Sequence, residues 1–462
     1  MPPREREKRG RLGATLGSPW FVVAVAFVVR LVVLRVYHYY HDAGIVRLPT
    51  IGTESGKVAF SIATGKGFAG LWYGLDGPTA WISPVYPYLL AAVYKLAHMD
   101  NYAARVGAQT MNLAFSALTC WPIYAVGRKI FCARVGLAAA WVWVFLPTAI
   151  QIPMEWIWDP SLDALLLGIL LWATLELREN SATLSWSGYG FFWAFAALTN
   201  PALAVMLPFS LGWLIFHRGK SGLESRQLVE RTVLFFVLAL MPWTIRNYKE
   251  MGAFVPIKSN FGLELWLGNN PAVEHDWSPA LHPWASPEGL LPLLQNGEIR
   301  YNRMKQAEAV SFILQNPGTF LRLTAGRVFD TWTSWYETDS EVWVKALHLR
   351  WQYVLFYSLF SALAFAGLAL AMRAHVAGSA LLLFCVAFFP LVYYITHSNA
   401  HYRHAIDPML TILATYAVAR LWSGRSGPEK APGAQIKLSV RATASRVFCA
   451  RSRKETRTEA QT

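Results

Sequence analysis

Charge is scarce in this chain: 15% of its residues are Asp, Glu, Lys or Arg, against 54% that are hydrophobic. A soluble domain needs a charged shell, so this balance excludes an ordinary water-soluble protein and points to a membrane as the solvent. Cysteine is scarce as well. Cys120, Cys132, Cys385 and Cys449 are scattered with no CxxC pair, which excludes a zinc ribbon or a disulfide framework and predicts free thiols. Walker A, HExxH and Gly-x-Ser-x-Gly motifs and a dinucleotide-binding fingerprint are missing, so ATP-driven, redox and hydrolase chemistries find no foothold. No solenoid or inverted-transporter repeat is visible.

What is abundant is apolar sequence in blocks of about 18 to 22 residues, the length a helix needs to cross about 30 Å of hydrocarbon. The predicted spans are residues 19–40, 103–126, 134–152, 160–177, 187–199, 201–217, 229–245, 351–372, 376–396 and 404–421. Pro201 makes the 187–217 pair the least regular, since a proline interrupts helix hydrogen bonding. The first block follows a basic stretch, as a signal peptide would. It contains Arg30 and Arg35 and lacks a small-x-small cleavage site, so it reads as an uncleaved span.

The net charge of +14 is distributed as a topology signal. Basic residues crowd the N-terminus (1–18), the 127–134 turn (Arg128, Lys129, Arg134), the 217–231 turn (Arg218, Lys220, Arg226, Arg231) and the tail 422–462. The 153–159 loop has none, and the last opposite loop has Arg403 alone. Both termini are therefore expected inside, with the long loops 41–102 and 246–350 outside. Those loops are rich in Trp, Gly and Pro and read as ordered, whereas the basic Ser/Thr/Ala-rich tail reads as disordered. Within the first loop, Pro84–Leu96 is apolar but too short to span. Its Tyr86, Tyr88 and Tyr94 suggest a helix lying on the bilayer.

Ionisable groups at or near membrane depth are costly and mark candidate sites. Glu54, in IGTESGKVAF, reads as a general base with a raised pKa or as a helix cap, and Lys57 one turn on as a substrate contact. Asp42 ends the first span as an interface residue or a metal ligand. In MEWIWDPSLDALL, Glu155 and Asp159 share a helix face, as acceptor-orienting acids or as an interfacial turn capped by Asp159. The stretch THSNAHYRHAIDP gathers His397, His401, Arg403, His404 and Asp407. Arg403 there suggests an anion contact such as a lipid phosphate, while the histidines are interface residues or, if helical, metal ligands. Arg30 and Arg35 either snorkel or meet phosphate. Arg246 and Lys258, close after the seventh span, read as phosphate contacts or as plain surface charge, and Glu337, Asp339 and Glu341 as a solvated acidic run.

The loop from Glu54 through GKGF (65–68) to GPTAWISPVYPYLLAAVYKL (77–96) resembles the signature loop of membrane glycosyltransferases of family 39, relatives of protein O-mannosyltransferases. NLAFSALT (112–119), PWTIRNYKEMGAFVPIKSNFGLELWLGNN (242–270) and HYRHAIDPML (401–410) follow in the same order. The resemblance spans residues 19–421. It implies a GT-C type all-α bundle of about ten spans with a cavity beneath two ordered periplasmic loops. It also implies a bacterial inner-membrane location, an inverting transfer from a polyprenyl-phosphate sugar, and a lipid, glycan or protein acceptor; nucleic acid is not a partner. Catalytic acids map to Glu54 and Asp159, with Glu155 beside them, and phosphate or substrate contacts to Arg403 and His404. Here Thr53-Glu54-Ser55 stands where an adjacent Asp-Glu pair is commoner. Some relatives use a divalent metal, and the cofactor stays open. The competing class is a transporter or lipid flippase, which would also hold acid and arginine in a polar cavity.

Overall fold

The computed structural model describes residues 17–44, 51–72, 74–99, 101–218, 222–275, 279–335 and 349–425. The basic residues before 17, the Glu337, Asp339 and Glu341 run, Cys449 and the tail from 426 lie outside them. Among the described residues no strand forms beyond the isolated bridges Ala69–Pro78 and Trp72–Leu75. The fold is all-helical, as expected, and Cys120, Cys132 and Cys385 are free thiols.

Helix α1 (Pro19–Asp42) starts on a proline, whose missing N–H costs nothing in a first turn. Helices α2 (Thr53–Ala63) and α3 (Val85–Leu96) come from the first long loop. The bundle continues with α4 (Tyr102–Leu118), α5 (Cys120–Ile130), α6 (Ala133–Phe145), α7 (Pro147–Glu155) and α8 (Pro160–Leu177). It proceeds through α9 (Thr183–Thr199), α10 (Pro201–Ala204), α11 (Met206–His217) and α12 (Gly222–Met251). The second long loop supplies α13 (Phe261–Gly268), α14 (Pro287–Gln315) and α15 (Pro317–Thr333). The chain ends in α16 (Arg350–Arg373), α17 (Ser379–Phe388), α18 (Leu391–Ile395), α19 (Ala400–Arg403) and α20 (Asp407–Arg425).

Helices occupy each of the ten places predicted from apolar blocks. Among the described residues four of them, α1, α8, α12 and α16, are long and apolar enough to cross a membrane singly, and the bent α6–α7 pair makes a fifth. Prolines interrupt two of the others: Asn200 caps α10 ahead of Pro201, accepting from the Ala202 N–H, and Pro390 precedes α18. Small residues let neighbours close up. A side chain at Gly367 of α16 would strike the Leu413 backbone of α20, and one at Gly190 of α9 the Thr232 backbone of α12.

The 48° bend between α6 and α7 is a consequence of Pro147, which holds Leu146 in extended backbone and leaves carbonyls without helical donors. Arg30 answers this. Fully buried in α1, its guanidinium donates to the carbonyls of Ala26 (3.1 Å), Trp143 (3.1 Å), Val144 (3.4 Å) and Ala149 (3.2 Å) and to Ser116 Oγ (3.1 Å). It neither snorkels nor stands open to a phosphate, because each of its three guanidinium nitrogens donates to a carbonyl beside the break, those of Ala149, Val144 and Trp143. Arg35 is exposed.

The two long loops fold together. Trp72 and Trp81 of the first share one apolar core with Leu263 and Leu267 of α13 and Leu293 and Tyr301 of α14. The α3 segment differs from expectation. Tyr86 and Tyr94 are buried in the main core, Tyr86 donating its hydroxyl to Asn112 Oδ1 at 3.0 Å, and only Tyr88 is well exposed. An apolar run of that length buries its aromatic face against neighbouring helices when they offer polar partners for the hydroxyls.

Candidate active site

Glu54 lies in the first turn of α2 and is 7% exposed. The fully buried Trp81 donates its indole N–H to Glu54 Oε1 at 2.9 Å, and His282 Nε2 stands 3.6 Å from the same oxygen, a contact too long for a hydrogen bond. Burial pushes the Glu54 carboxyl up, and the nearby Glu264 carboxylate adds to it; against the Trp81 bond and the Lys258 charge the result is about 8.

Glu264 of α13 has the opposite fate. It accepts from Asn260 Nδ2 at 2.6 Å and pairs with His397 Nε2 at 2.7 Å. Burial raises it, but the His397 hydrogen bond and charge, helped by Lys258 and His282, outweigh burial and hold it at about 2. Burial lowers His282 to about 4, so its imidazole is neutral at neutral pH. One site thus holds a carboxyl that titrates near neutrality and another that stays ionised, the separation by environment that acid–base chemistry exploits.

Two further acids come from the start of α8. Asp159 occupies the cap position but its side chain makes no capping bond, which leaves the carboxylate for the site. Burial raises it against the pull of Lys258. Asp163, one turn on and 2% exposed, accepts from Asn200 Nδ2 at 2.7 Å, while its Oδ1 takes no hydrogen bond from the described residues. Lys258 is half-buried, within electrostatic reach of Glu54, Glu264, Asp159 and Asp163. Among the described residues its ammonium has no hydrogen-bonded or ion-paired partner.

The sequence candidates divide. Glu54, Asp159 and Lys258 converge, and Lys57, its pKa lowered by burial against the pull of Glu54, stands beside them. Glu155 is buried and accepts from Gln151 Nε2 at 3.1 Å. Asp42 is exposed. Arg246 is already occupied: it donates to the Thr79 carbonyl at 2.5 Å and the Phe68 carbonyl at 2.7 Å and lies over the Trp243 ring. Arg403 is 1% exposed, bonded to Asp407 Oδ1 at 3.0 Å, the Thr331 carbonyl and Ser361 Oγ, and packed over Tyr357. His404 Nδ1 lies 3.3 Å from the other Asp407 oxygen. In this arrangement both engage Asp407 inside the bundle, so an open anion contact at Arg403 and a substrate contact at His404 are not what the geometry displays.

Sequence reading missed Glu264, Asp163, His282 and Trp81 as site residues. Glu264 and Trp81 sit inside stretches that carried the family resemblance, whereas His282 lies in a Pro-rich loop with no pattern to mark it.

The helical bundle, with a cap built from two long loops, has the fold of GT-C type glycosyltransferases. Residues 78–245 match the family model of dolichyl-phosphate-mannose-protein mannosyltransferase, and the long apolar helices mark a multi-pass membrane protein. Seventeen chains of solved structure match it. One is the oligosaccharyltransferase of Archaeoglobus fulgidus in complex with Zn and sulfate, with 13% identity, a TM-score of 0.51 and coverage of 93% of this chain and 51% of that one. Another is the oligosaccharyltransferase AglB of the same organism in complex with an inhibitory peptide and a dolichol-phosphate. It shows 14% identity and a TM-score of 0.50 over 94% of this chain and 54% of that one. At such identity the likeness concerns fold, and this chain spans about half the length of those proteins. No curated protein matches the chain in sequence.

Proposed function

We propose that this protein is a membrane glycosyltransferase that moves a sugar from a polyprenyl-phosphate carrier to a hydroxyl of a lipid, glycan or protein acceptor. The observation that carries the proposal is the pairing of Glu54, with a carboxyl near pH 8, and Lys258, a cation without a partner among the described residues, in one buried acidic site. A general base works best when its pKa lies near ambient pH. The family match and the dolichol-phosphate in the AglB complex add support for a lipid-linked donor.

In the proposed reaction the acceptor hydroxyl gives its proton to Glu54 while its oxygen forms a bond to the anomeric carbon. The bond from that carbon to the phosphate oxygen breaks, and the carrier phosphate leaves with the electron pair. Lys258 stabilises the developing charge, a role for a preorganised cation in a site shielded from water. A single displacement of this kind inverts the anomeric carbon. Asp159 and Asp163, both within electrostatic reach of Lys258, orient the acceptor or the sugar. Arg403, held on Asp407, fixes the start of α20. Among the described residues no three His, Cys, Asp or Glu side chains converge as a metal ligand set, so no step is routed through a metal. We assign the site to the outward, periplasmic face on the distribution of basic residues around the spans, and the membrane to a bacterial inner membrane on the family resemblance.

The test is transfer by the purified protein from a panel of synthetic polyprenyl-phosphate sugars to a membrane lipid extract, with the product anomer read by NMR. Inverted product from at least one donor is expected. Product with retained configuration, or activity with nucleotide sugars only, contradicts the proposal.

A further inference from the structure

The base, the ionised acid and the cation of the site sit on three separate segments: Glu54 on α2, Glu264 on α13 and Lys258 on the strand-free stretch before it. The segments of Lys258 and Glu264, and the loop whose Trp81 bonds Glu54, are all tied to one short piece of α14. That helix is interrupted at Gly297, whose φ of +72° is open to glycine without strain. The next residue, Glu298, points into the site's supporting shell. Its Oε2 accepts from Thr79 Oγ1 at 2.6 Å, and its Oε1 accepts from the Ala80 N–H at 2.9 Å and Ser259 Oγ at 2.6 Å. Thr79 Oγ1 accepts in turn from the Trp81 N–H at 3.1 Å, and Ser259 N–H donates to the Ala80 carbonyl at 2.8 Å. One turn further on, Asn302 Oδ1 accepts from the Leu263 N–H at 3.2 Å, beside Glu264.

We infer that Glu298 is a positioning residue for the proposed transfer: it clamps residues 79–81 and 258–259 together and thereby aims the Trp81 indole at Glu54 and sets Lys258 opposite. This inference rests on the reading of Glu54 as the base. A carboxylate is suited to the task because it accepts several bonds at once, and each of its donors here belongs to a segment that has no regular backbone ladder of its own. Glu298 touches neither reacting group; it acts through Trp81 and Ser259.

The test is a double-mutant cycle in the polyprenyl-phosphate transfer assay, with Glu298→Ala, Trp81→Phe and the pair compared with wild type in kcat, donor KM and thermal unfolding. Residues that act through one another are non-additive, whereas independent ones add. Glu298→Ala is expected to lower kcat at least tenfold with little change in donor KM, and the pair to be no slower than the worse single variant. Glu298→Gln, which keeps a carbonyl acceptor for Ala80 and Ser259, should recover most of the rate. Should Glu298→Ala fail to fold, Thr79→Val removes the hydroxyl shared by Glu298 and Trp81 at almost constant volume and should show the same kcat loss. Additive losses, or full activity in either variant, overturn the inference. Glu54→Gln in the same assay separates the two ideas: if it stays active the base reading has failed, and if it is inactive while Glu298→Ala is not, the positioning role has.

Discussion

Trp81 and Glu54 are joined by a single buried hydrogen bond, the indole N–H to Oε1 at 2.9 Å, although 27 residues separate them. The bond favours the ionised carboxylate in a place where burial disfavours it. Trp81→Phe removes the donor and keeps an aromatic ring. A hydrogen bond to a charged group contributes about 1.5–3 kcal/mol, so the Glu54 pKa should rise by about one unit or more. The ascending limb of kcat/KM against pH would move up from about 8, and the rate at pH 7 would fall about tenfold.

Neighbouring charges should move that limb in opposite directions. Glu264 raises the Glu54 pKa and Lys258 lowers it. Glu264→Gln is therefore expected to shift the limb to lower pH, and Lys258→Met to higher pH while also slowing phosphate departure. pH–rate profiles of the two variants, measured against wild type in one buffer series, check the signs. Shifts in the same direction would contradict the shared site.

A raised carboxyl pKa is also a statement about stability. The unfolded chain releases the Glu54 proton near 4.5 and the folded chain near 8, so the folded state loses stability as pH rises between those values. Glu54→Gln removes this slope. Thermal unfolding in detergent should find the variant level with wild type near pH 4.5 and more stable at pH 8, by about 2 kcal/mol or more. An unchanged difference across that range would show that Glu54 is not desolvated.

Much of the fold was legible in the sequence, and the reason is physical: apolar blocks of membrane length must be helices, because only there are backbone groups satisfied in lipid. What stayed hidden were the interruptions. The Arg30 latch depends on carbonyls freed by Pro147, more than a hundred residues away, and no local pattern announces such a pair. In the site, Glu54, Asp159 and Lys258 were readable because charges stand out near apolar sequence. Arg246 and Arg403 stood out for the same reason, yet the first is held by the Thr79 and Phe68 carbonyls and the second, besides the nearby Asp407, by Thr331 and Ser361, distant partners that only the folded chain reveals. Glu264 went unmarked because its apolar octet, Phe261–Gly268, is too short to read as a span and lies inside a long loop, and nothing local announces that His397 folds against it.

The Arg30 latch carries its own prediction. Arg30→Met leaves carbonyls at the α6–α7 break unpaired in the core, each costing about 1–3 kcal/mol. A loss of about 3 kcal/mol or more is expected in reversible unfolding. Lys at this position should recover only part of it, since an ammonium cannot match the guanidinium's fork of donors. Wild-type stability in Arg30→Met would mean that the bend is held by packing alone.

The account turns on Glu54, and single-turnover transfer from a polyprenyl-phosphate sugar by wild type and Glu54→Gln at pH 8, with matched folding confirmed by thermal unfolding, tests it most directly. Loss of general-base catalysis is typically about 100- to 10,000-fold, and the variant is predicted to fall in that range with donor binding retained. Equal rates for the two proteins would contradict the assignment and move the base to Asp159 or Asp163.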